Sequence, residues 1–450
     1  MGSWTTEWQE TVREEEKCLC RVLFSKPPSL SGTYGGKFNA SVSGLYKATA
    51  VLAGVLADGS PFARSTSHVM QVVHDNVELA AGAAQLIVAQ DHLLQLRIPV
   101  TGDSAPGTVY RVYAEVHADL VPVAWAGGMA AKQCAGSVCF LEVELHAQWL
   151  RDAGADVNLF AIALQHVTVY DKNSNVPISQ RLHMRVHQQR PAALAALVAS
   201  LPLREKDAEA TEEMLMGRRP LHLQMQRSRN ESLPSLVLVH GWCAQIQPWA
   251  GEGAFTNSVL FEDLNQNRPT AQFAELLAER TAQLPSFGLV GHSQGGLASV
   301  HLHNYIWSGL EAAVGERKIQ TIGTPYHGSS GAGSSADTIK IFGYGCGASF
   351  DLSVDGAALW ESGIQTEARK DVFFYRTQWA ESGLLKYCNL ACNAVLKWPN
   401  DGMAENEYGV LEGGHDMGLF KGECHTLNMR YPPQYRSNPR NTEMNAKAAR

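Results

Sequence analysis

The sequence lacks a long apolar run, an excess of basic residues and closely paired cysteines of the C-x2-C type. Its longest apolar stretches, such as 192–203 and 236–239, are shorter than the roughly 20 residues that a membrane-spanning helix needs. Lys and Arg number 37 against 44 Asp and Glu, which gives a net charge of -7 and argues against nucleic acid as a ligand. We therefore expect a soluble globular protein without a transmembrane segment, a nucleic-acid partner or a zinc knuckle.

The amino terminus and the cysteines give indications of the protein's cellular location. The charged run 14–17 stands where a secretory signal would be apolar, so the chain is either intracellular or missing its natural start. Cys134 and Cys139 flank a turn-like Ala-Gly-Ser-Val segment, which suggests a hairpin disulfide, and further cysteines lie late in the chain at 346, 388, 392 and 424. We expect a secreted protein in an oxidising environment, with a cytoplasmic location as the alternative.

The first part of the chain carries a strand pattern. Runs of alternating or β-branched residues recur between turn residues at 45–56, 69–79, 86–100, 108–123, 138–145, 157–169 and 178–186. This pattern predicts an all-β, sandwich-like domain over 30–190, behind an N-terminal tail over 1–29. A helical charged linker is predicted over 191–219.

The second part changes to short apolar strands that alternate with helices. The runs 236–239, 287–290 and 372–375 are apolar or nearly so, and 319–322 begins and ends with isoleucine. Such short runs are typical of a parallel sheet covered on both faces. The predicted fold class is α/β: an α/β-hydrolase domain with a mostly parallel sheet over 220–435, preceded by the β-sandwich-like domain and followed by a C-terminal tail over 436–450.

One turn in this part carries chemistry. Gly291-His292-Ser293-Gln294-Gly295 follows an apolar strand and opens a helix, so its central residue is forced into a strained conformation that exposes the hydroxyl. The flanking glycines avoid collisions with neighbouring elements. Ser293 is therefore the predicted nucleophile.

His240-Gly241-Trp242, the turn at 291–296 and Gly323-Thr324-Pro325 together resemble the α/β-hydrolase superfamily, and within it bacterial triacylglycerol lipases of the Pseudomonas type. The resemblance spans roughly 236–428. It implies an oxyanion hole formed by the backbone amides of Trp242 and Gln294, which would stabilise a tetrahedral intermediate.

A serine nucleophile needs a histidine base and a carboxylate that fixes the tautomer of that base. The acid is predicted to be Asp401, in a segment similar to the family's Asn-Asp-Gly, with weaker candidates at Asp371, Asp355 and Asp351. His425 is the preferred base and His415 the alternative. The family's calcium-binding aspartate is absent after the histidine, so neither a metal nor a cofactor is expected.

These residues predict a serine hydrolase that cleaves carboxylic esters, a lipase or carboxylesterase, through a Ser-His-Asp triad and an acyl-enzyme. The expected substrate is an ester or lipid, with contact to a lipid surface possible. The stretch 327–360 and the preceding β domain also resemble the conditioned-medium-factor group of secreted proteins. The alternative function is accordingly a secreted binding or signalling protein on a hydrolase fold with little or no turnover, whose β domain binds an undetermined partner.

Overall fold

The structure is a computed structural model, and it describes twelve parts of the chain: residues 4–10, 19–24, 43–55, 58–73, 75–89, 93–154, 158–205, 208–220, 223, 235–332, 349–379 and 387–450. Cys346 and part of the predicted N-terminal tail lie outside these residues.

Strands dominate the order of elements. The strands are β1 Trp4–Glu10, β2 Leu19–Phe24, β3 Gly44–Val55, β4 Pro61–Val72, β5 Glu78–Leu79, β6 Ala84–Val88, β7 Leu93–Thr101, β8 Val109–Ala118, β9 Val121–Ala135, β10 Val138–His146, β11 Ile162–Asp171, β12 Pro177–Gln188, β13 Leu236–Val239, β14 Ser258–Phe261, β15 Gly288–His292, β16 Ile319–Ile322, β17 Val372–Gln378 and β18 His415–Lys421. The α-helices are α1 Gln148–Asp152, α2 Pro191–Ser200, α3 Glu212–Met216, α4 Thr270–Thr281, α5 Gln294–Tyr305, α6 Val354–Ser362, α7 Thr366–Lys370, α8 Leu390–Asn393 and α9 Asn438–Lys447.

The first sheet is a four-stranded antiparallel sheet in the order β2-β1-β3-β4. Its longest hairpin pairs β3 with β4 without a register shift, from Gly44 opposite Val72 to Val55 opposite Pro61.

A closed barrel follows. Seven strands pair in the order β10-β9-β8-β11-β12-β6-β7, and β10 pairs back with β7 over eight residue pairs, from Cys139↔Val100 to His146↔Leu93. Burial alternates along β7: Leu94, Leu96 and Ile98 are fully buried, whereas Gln95 and Arg97 are half-buried. The barrel interior is therefore filled with aliphatic side chains, as expected for a small barrel.

The last sheet has six strands in the order β14-β13-β15-β16-β17-β18, and every neighbouring pair is parallel. All residues of β13, β15 and β16 are buried. Leu277 of α4 and Val300 of α5 belong to the same apolar cluster as Val237 and Leu289 of the sheet. The carboxyl ends of these parallel strands lie along one edge of the sheet, where the loops that follow them meet.

The predicted fold class is wrong. The β domain is a closed barrel rather than an open sandwich, the parallel sheet is a separate unit, and the described part of the chain has more strand than helix. An alternating pattern is the same for a strand in a sandwich and in a barrel, because only the pairing of β10 with β7 closes the sheet. Short apolar runs likewise indicate buried parallel strands but do not identify a particular fold built from them.

Disulfides lie within two of these regions. The predicted bond between Cys134 and Cys139 is present and staples the β9–β10 hairpin. A second bond joins Cys388 to Cys424, and Cys243 is also disulfide-bonded. Cys392 is a buried free thiol. In the described part of the chain, none of the helices has the length and apolar character needed to cross a bilayer.

Candidate functional site

The turn between β15 and α5 holds Ser293 in a strained conformation. Ser293 has φ 56° and ψ -130°, a region that non-glycine residues rarely adopt. A Cβ on Gly291 would lie 2.7 Å from the Gly296 nitrogen, and one on Gly295 would lie 2.3 Å from the His240 oxygen. Gly291 is therefore required because a side chain would collide with the start of α5, and Gly295 because the turn packs closely against the end of β13.

Neighbouring strands fix this turn from the other side. The Ser293 amide donates to the Ile322 oxygen at 3.1 Å, at the end of β16. The Thr324 hydroxyl donates to the Ser293 oxygen at 3.0 Å. The Gly323-Thr324-Pro325 segment thus supports the turn through its threonine.

Three side chains form a continuous hydrogen-bonded chain at this edge of the sheet. The Ser293 hydroxyl lies 2.9 Å from Nε2 of His425, and Nδ1 of His425 lies 2.7 Å from Oδ2 of Asp401. All three residues are buried. The carboxylate accepts from Nδ1–H, which leaves Nε2 as the nitrogen with a free lone pair toward the serine.

The loop that carries Asp401 is anchored by its own backbone. Oδ1 of Asp401 accepts from the amides of Met403 at 3.0 Å and Ala404 at 2.9 Å, so Oδ2 is left for the imidazole. The His425 amide donates to the Asp401 oxygen at 2.9 Å. These bonds hold the acid and the base in a fixed relative position.

Gln294 directly follows the serine, and the loop that contains Trp242 packs on the serine through Gly241. A Cβ on Gly241 would lie 2.5 Å from the Ser293 Cβ, so the 240–242 loop packs directly on the serine. Gln294 is the first residue of α5, where backbone amides have no partner within the helix and can face a negative oxygen. The side chain of Gln294 accepts from Gln266 and donates to the Arg268 oxygen, both at 2.9 Å.

His240 stabilises the loop in its neutral form. Burial lowers the pKa of His240. Its Nδ1–H donates to the Gly241 oxygen at 2.8 Å, and its Nε2 accepts from the Asp263 amide at 2.8 Å. Both ring nitrogens are therefore occupied in holding the loop beside Ser293.

The other candidates from the sequence lie elsewhere. His415 begins β18, where its Nε2 lies 2.9 Å from the Lys370 oxygen and its ring stacks on Phe373. Asp371 bonds His303 at 2.9 Å, and Asp351 accepts from the first amide of α4. Asp355 lies in the first turn of α6.

Sequence reasoning missed two residues that contact His425. His292 places Nε2 2.9 Å from the His425 oxygen, and the side-chain amide of Gln434 lies 2.9 Å from that same Nε2. Burial, followed by the nearby His425, holds the pKa of His292 well below its ordinary value. His292 could have been noticed beside Ser293, but nothing in the sequence marks Gln434.

Among the residues that the structure describes, no group of three or more His, Cys, Asp or Glu side chains is arranged to hold a metal ion. The fold and the site thus define a disulfide-containing protein of β domains joined to a parallel-sheet domain that carries a hydrogen-bonded serine.

Three consecutive family models match the chain. Residues 29–72 match the second Ig-like domain of conditioned medium factor, 111–218 match its third Ig-like domain, and 231–448 match its C-terminal domain. The chain is also 35% identical over 433 residues to conditioned medium factor of Dictyostelium discoideum. The chain is thus similar to conditioned medium factor along most of its length. The match covers 92% of the chain and 60% of that relative's length.

Solved structures of lipases resemble the chain only weakly. The mature form of the Bacillus licheniformis lipase BlEst2 is 18% identical, with a TM-score of 0.33, over 43% of this chain and 86% of the lipase. Phospholipase PlaB of Legionella pneumophila is 15% identical, with a TM-score of 0.31, over 39% of this chain and 45% of the phospholipase. Scores this low carry no argument about fold or activity.

The comparisons overturn the prediction of a serine carboxylic-ester hydrolase. The relative and the family models describe conditioned medium factor, and the lipase structures do not match well enough to support a hydrolase, a lipase or a role in lipid metabolism. The expected ester or lipid substrate and the cytoplasmic alternative have no support either. The motif misled because a strained serine with a histidine and a carboxylate marks a site geometry, and geometry alone does not fix function.

Proposed function

We propose that this chain is part of a secreted signalling protein that acts by binding a partner, with little or no turnover. The observation that carries the proposal is the 35% identity to conditioned medium factor over 92% of the chain. The disulfides Cys134–Cys139 and Cys388–Cys424 agree with an oxidising compartment, because such bonds are rare in reducing ones.

The test compares binding and response with and without the serine hydroxyl. Fluorescently labelled wild-type chain and Ser293→Ala are added to cells of the source organism over a range of concentrations. We expect saturable binding and the same cell response for both proteins, since the variant changes a single buried hydroxyl. A variant that keeps its fold and its binding but loses the response would show that signalling requires serine chemistry, and would overturn the proposal.

We also propose that Ser293, His425 and Asp401 form a ligand site in which the serine is reactive, and that the Trp242 and Gln294 amides receive the ligand's carbonyl or phosphoryl oxygen. The support is the pair of short hydrogen bonds from Ser293 to His425 and from His425 to Asp401. An alkoxide forms readily only where a base accepts the hydroxyl proton, and this chain provides such a base.

A fluorophosphonate probe tests the reactivity of the serine. The serine oxygen attacks phosphorus, fluoride leaves, and His425 takes the hydroxyl proton. We expect one labelled site per chain in the wild type and in Ser299→Ala, a matched control whose hydroxyl bonds only within α5. No labelling is expected in Ser293→Ala. An unlabelled wild type, or labelling that survives in Ser293→Ala, would refute the site.

An ester assay separates a reactive site from an enzyme. With a nitrophenyl ester we expect product release to stop at about one equivalent per chain, as for a nucleophile that is acylated but turns over slowly. Sustained release that depends on Ser293 would contradict the proposal of little or no turnover.

A further inference from the structure

The side-chain amide of Gln434 lies against both histidines of the site. Gln434 is fully buried, and one terminal atom of its amide is 2.9 Å from Nε2 of His292 and 3.2 Å from Nδ1 of His425. The other terminal atom bonds the Thr377 hydroxyl, which in turn lies 3.5 Å from Oδ2 of Asp401. A glycine at 323 is required here, because a Cβ at that position would collide with the side-chain amide of Gln434.

The protons on the two histidines can be assigned from their partners. Nδ1 of His425 carries a proton, because the carboxylate of Asp401 at 2.7 Å can only accept. Nε2 of His292 also carries a proton, because it faces the backbone oxygen of His425 at 2.9 Å. The low pKa of His292 leaves that imidazole neutral, with this as its single N–H.

Neither nitrogen therefore has a lone pair to offer the terminal atom of Gln434, and each can only share its single hydrogen with that atom as a second acceptor, beside Asp401 or the His425 oxygen. If it were the amide nitrogen, donors would oppose donors at 2.9 and 3.2 Å in a buried site, which is unfavourable. The oxygen and nitrogen of a glutamine amide are distinguished by such networks rather than by their positions. With the oxygen at this position, the amide nitrogen donates to Thr377 and the threonine hydroxyl remains free to donate to Asp401.

We propose that Gln434 is a positioning residue whose amide oxygen accepts from His292 and His425 and stabilises the His425 imidazolium that forms when Ser293 loses its proton. The backbone of Gln434 is held for this role. Its amide donates to the Cys424 oxygen at 2.8 Å, and its carbonyl accepts from Arg440.

The electrostatic surroundings of His425 are limited. The titratable groups in contact with it are Asp401, His292 and Ser293. Glu423, two residues before His425, pairs with Arg440 of α9 at 2.9 Å. Within these surroundings the Gln434 oxygen is a neutral acceptor that adds to the effect of the Asp401 carboxylate.

The proposal rests on the reactive-serine site proposed above, and its test measures the fluorophosphonate labelling rate of the full chain against pH. Gln434→Met removes the acceptor with little change in volume. We expect labelling about tenfold slower and a pH midpoint of the rate lowered by about one unit, because a hydrogen bond to a charged group is lost. Gln434→Glu keeps an acceptor at the same position and should raise the midpoint.

The outcomes separate the two proposals. An unlabelled wild type would refute the reactive site itself. A labelled wild type with the same midpoint in Gln434→Met would refute the positioning role, even if the rate fell, because a purely structural role lowers the rate without moving the midpoint. If Gln434→Met does not fold, Gln434→Glu still tests the proposal, because its charged acceptor should raise the midpoint. An unchanged midpoint in Gln434→Glu would then overturn the proposal.

Discussion

Replacing Asp351 by asparagine should stabilise the protein near neutral pH and have no such effect in acid. Asp351 is buried, and its Oδ2 accepts from the Thr270 amide at 2.5 Å, at the start of α4. Burial raises the pKa of Asp351 from 3.8 to about 6, although this hydrogen bond and the charge of Arg111 oppose the rise. The folded protein thus binds a proton at Asp351 more tightly than the unfolded chain does.

The sign and size of the effect follow from that difference in pKa. Stability from Asp351 is fully present below pH 3.8, is lost as the pH rises toward about 6, and is absent above it. A rise from 3.8 to about 6 corresponds to about 3 kcal/mol. Asparagine keeps the oxygen that accepts from Thr270 and never ionises, so it avoids this cost.

Thermal unfolding of both proteins between about pH 3 and pH 8 measures the effect. We expect the stability of Asp351→Asn relative to wild type to rise by about 3 kcal/mol between about pH 3 and pH 8. This rise corresponds to roughly 6–12 °C in Tm for a domain of this size. Asp351→Ala is the matched control. Its stability should depend on pH in the same way as that of Asp351→Asn, but it should be lower than that of Asp351→Asn at every pH, because alanine cannot accept a hydrogen bond from the Thr270 amide. A difference between Asp351→Asn and wild type that stays constant with pH would refute the reasoning.

Three further predictions concern the site and its supports. Asp401→Asn should slow fluorophosphonate labelling by about a thousandfold or more, because the amide favours the wrong histidine tautomer, and unchanged labelling would contradict this. Gly241→Ala should abolish labelling while the fold survives, since its Cβ would lie 2.5 Å from the Cβ of Ser293; circular dichroism checks the fold. Replacing both Cys388 and Cys424 by serine should lower the free energy of unfolding by about 4 kcal/mol, given a sequence separation of 36, as measured by urea denaturation.

Some strands could be located from the sequence and others could not. The predicted strands 236–239 and 319–322 are β13 and β16 with the same bounds. The predicted run 108–123 instead contains all of β8, a reversal and the start of β9. Asp119 and Leu120 form that reversal with φ 48° and 70°, and neither is the glycine that usually marks such a turn. Much of β9 is rich in alanine and glycine, so its strand character comes from its neighbours.

Local motifs indicate which residues could carry the site's chemistry: the Gly291–Gly295 turn, the Asn-Asp-Gly segment and two later histidines. The packing of the folded chain places His425 rather than His415 beside Ser293, brings Gln434 and His292 into contact with the histidine, and closes the barrel by pairing β10 with β7. The difference comes from the distance along the chain over which each kind of interaction acts. Turn chemistry and burial patterns act over a few neighbouring residues, whereas these contacts join residues up to 142 positions apart and depend on how the whole chain packs.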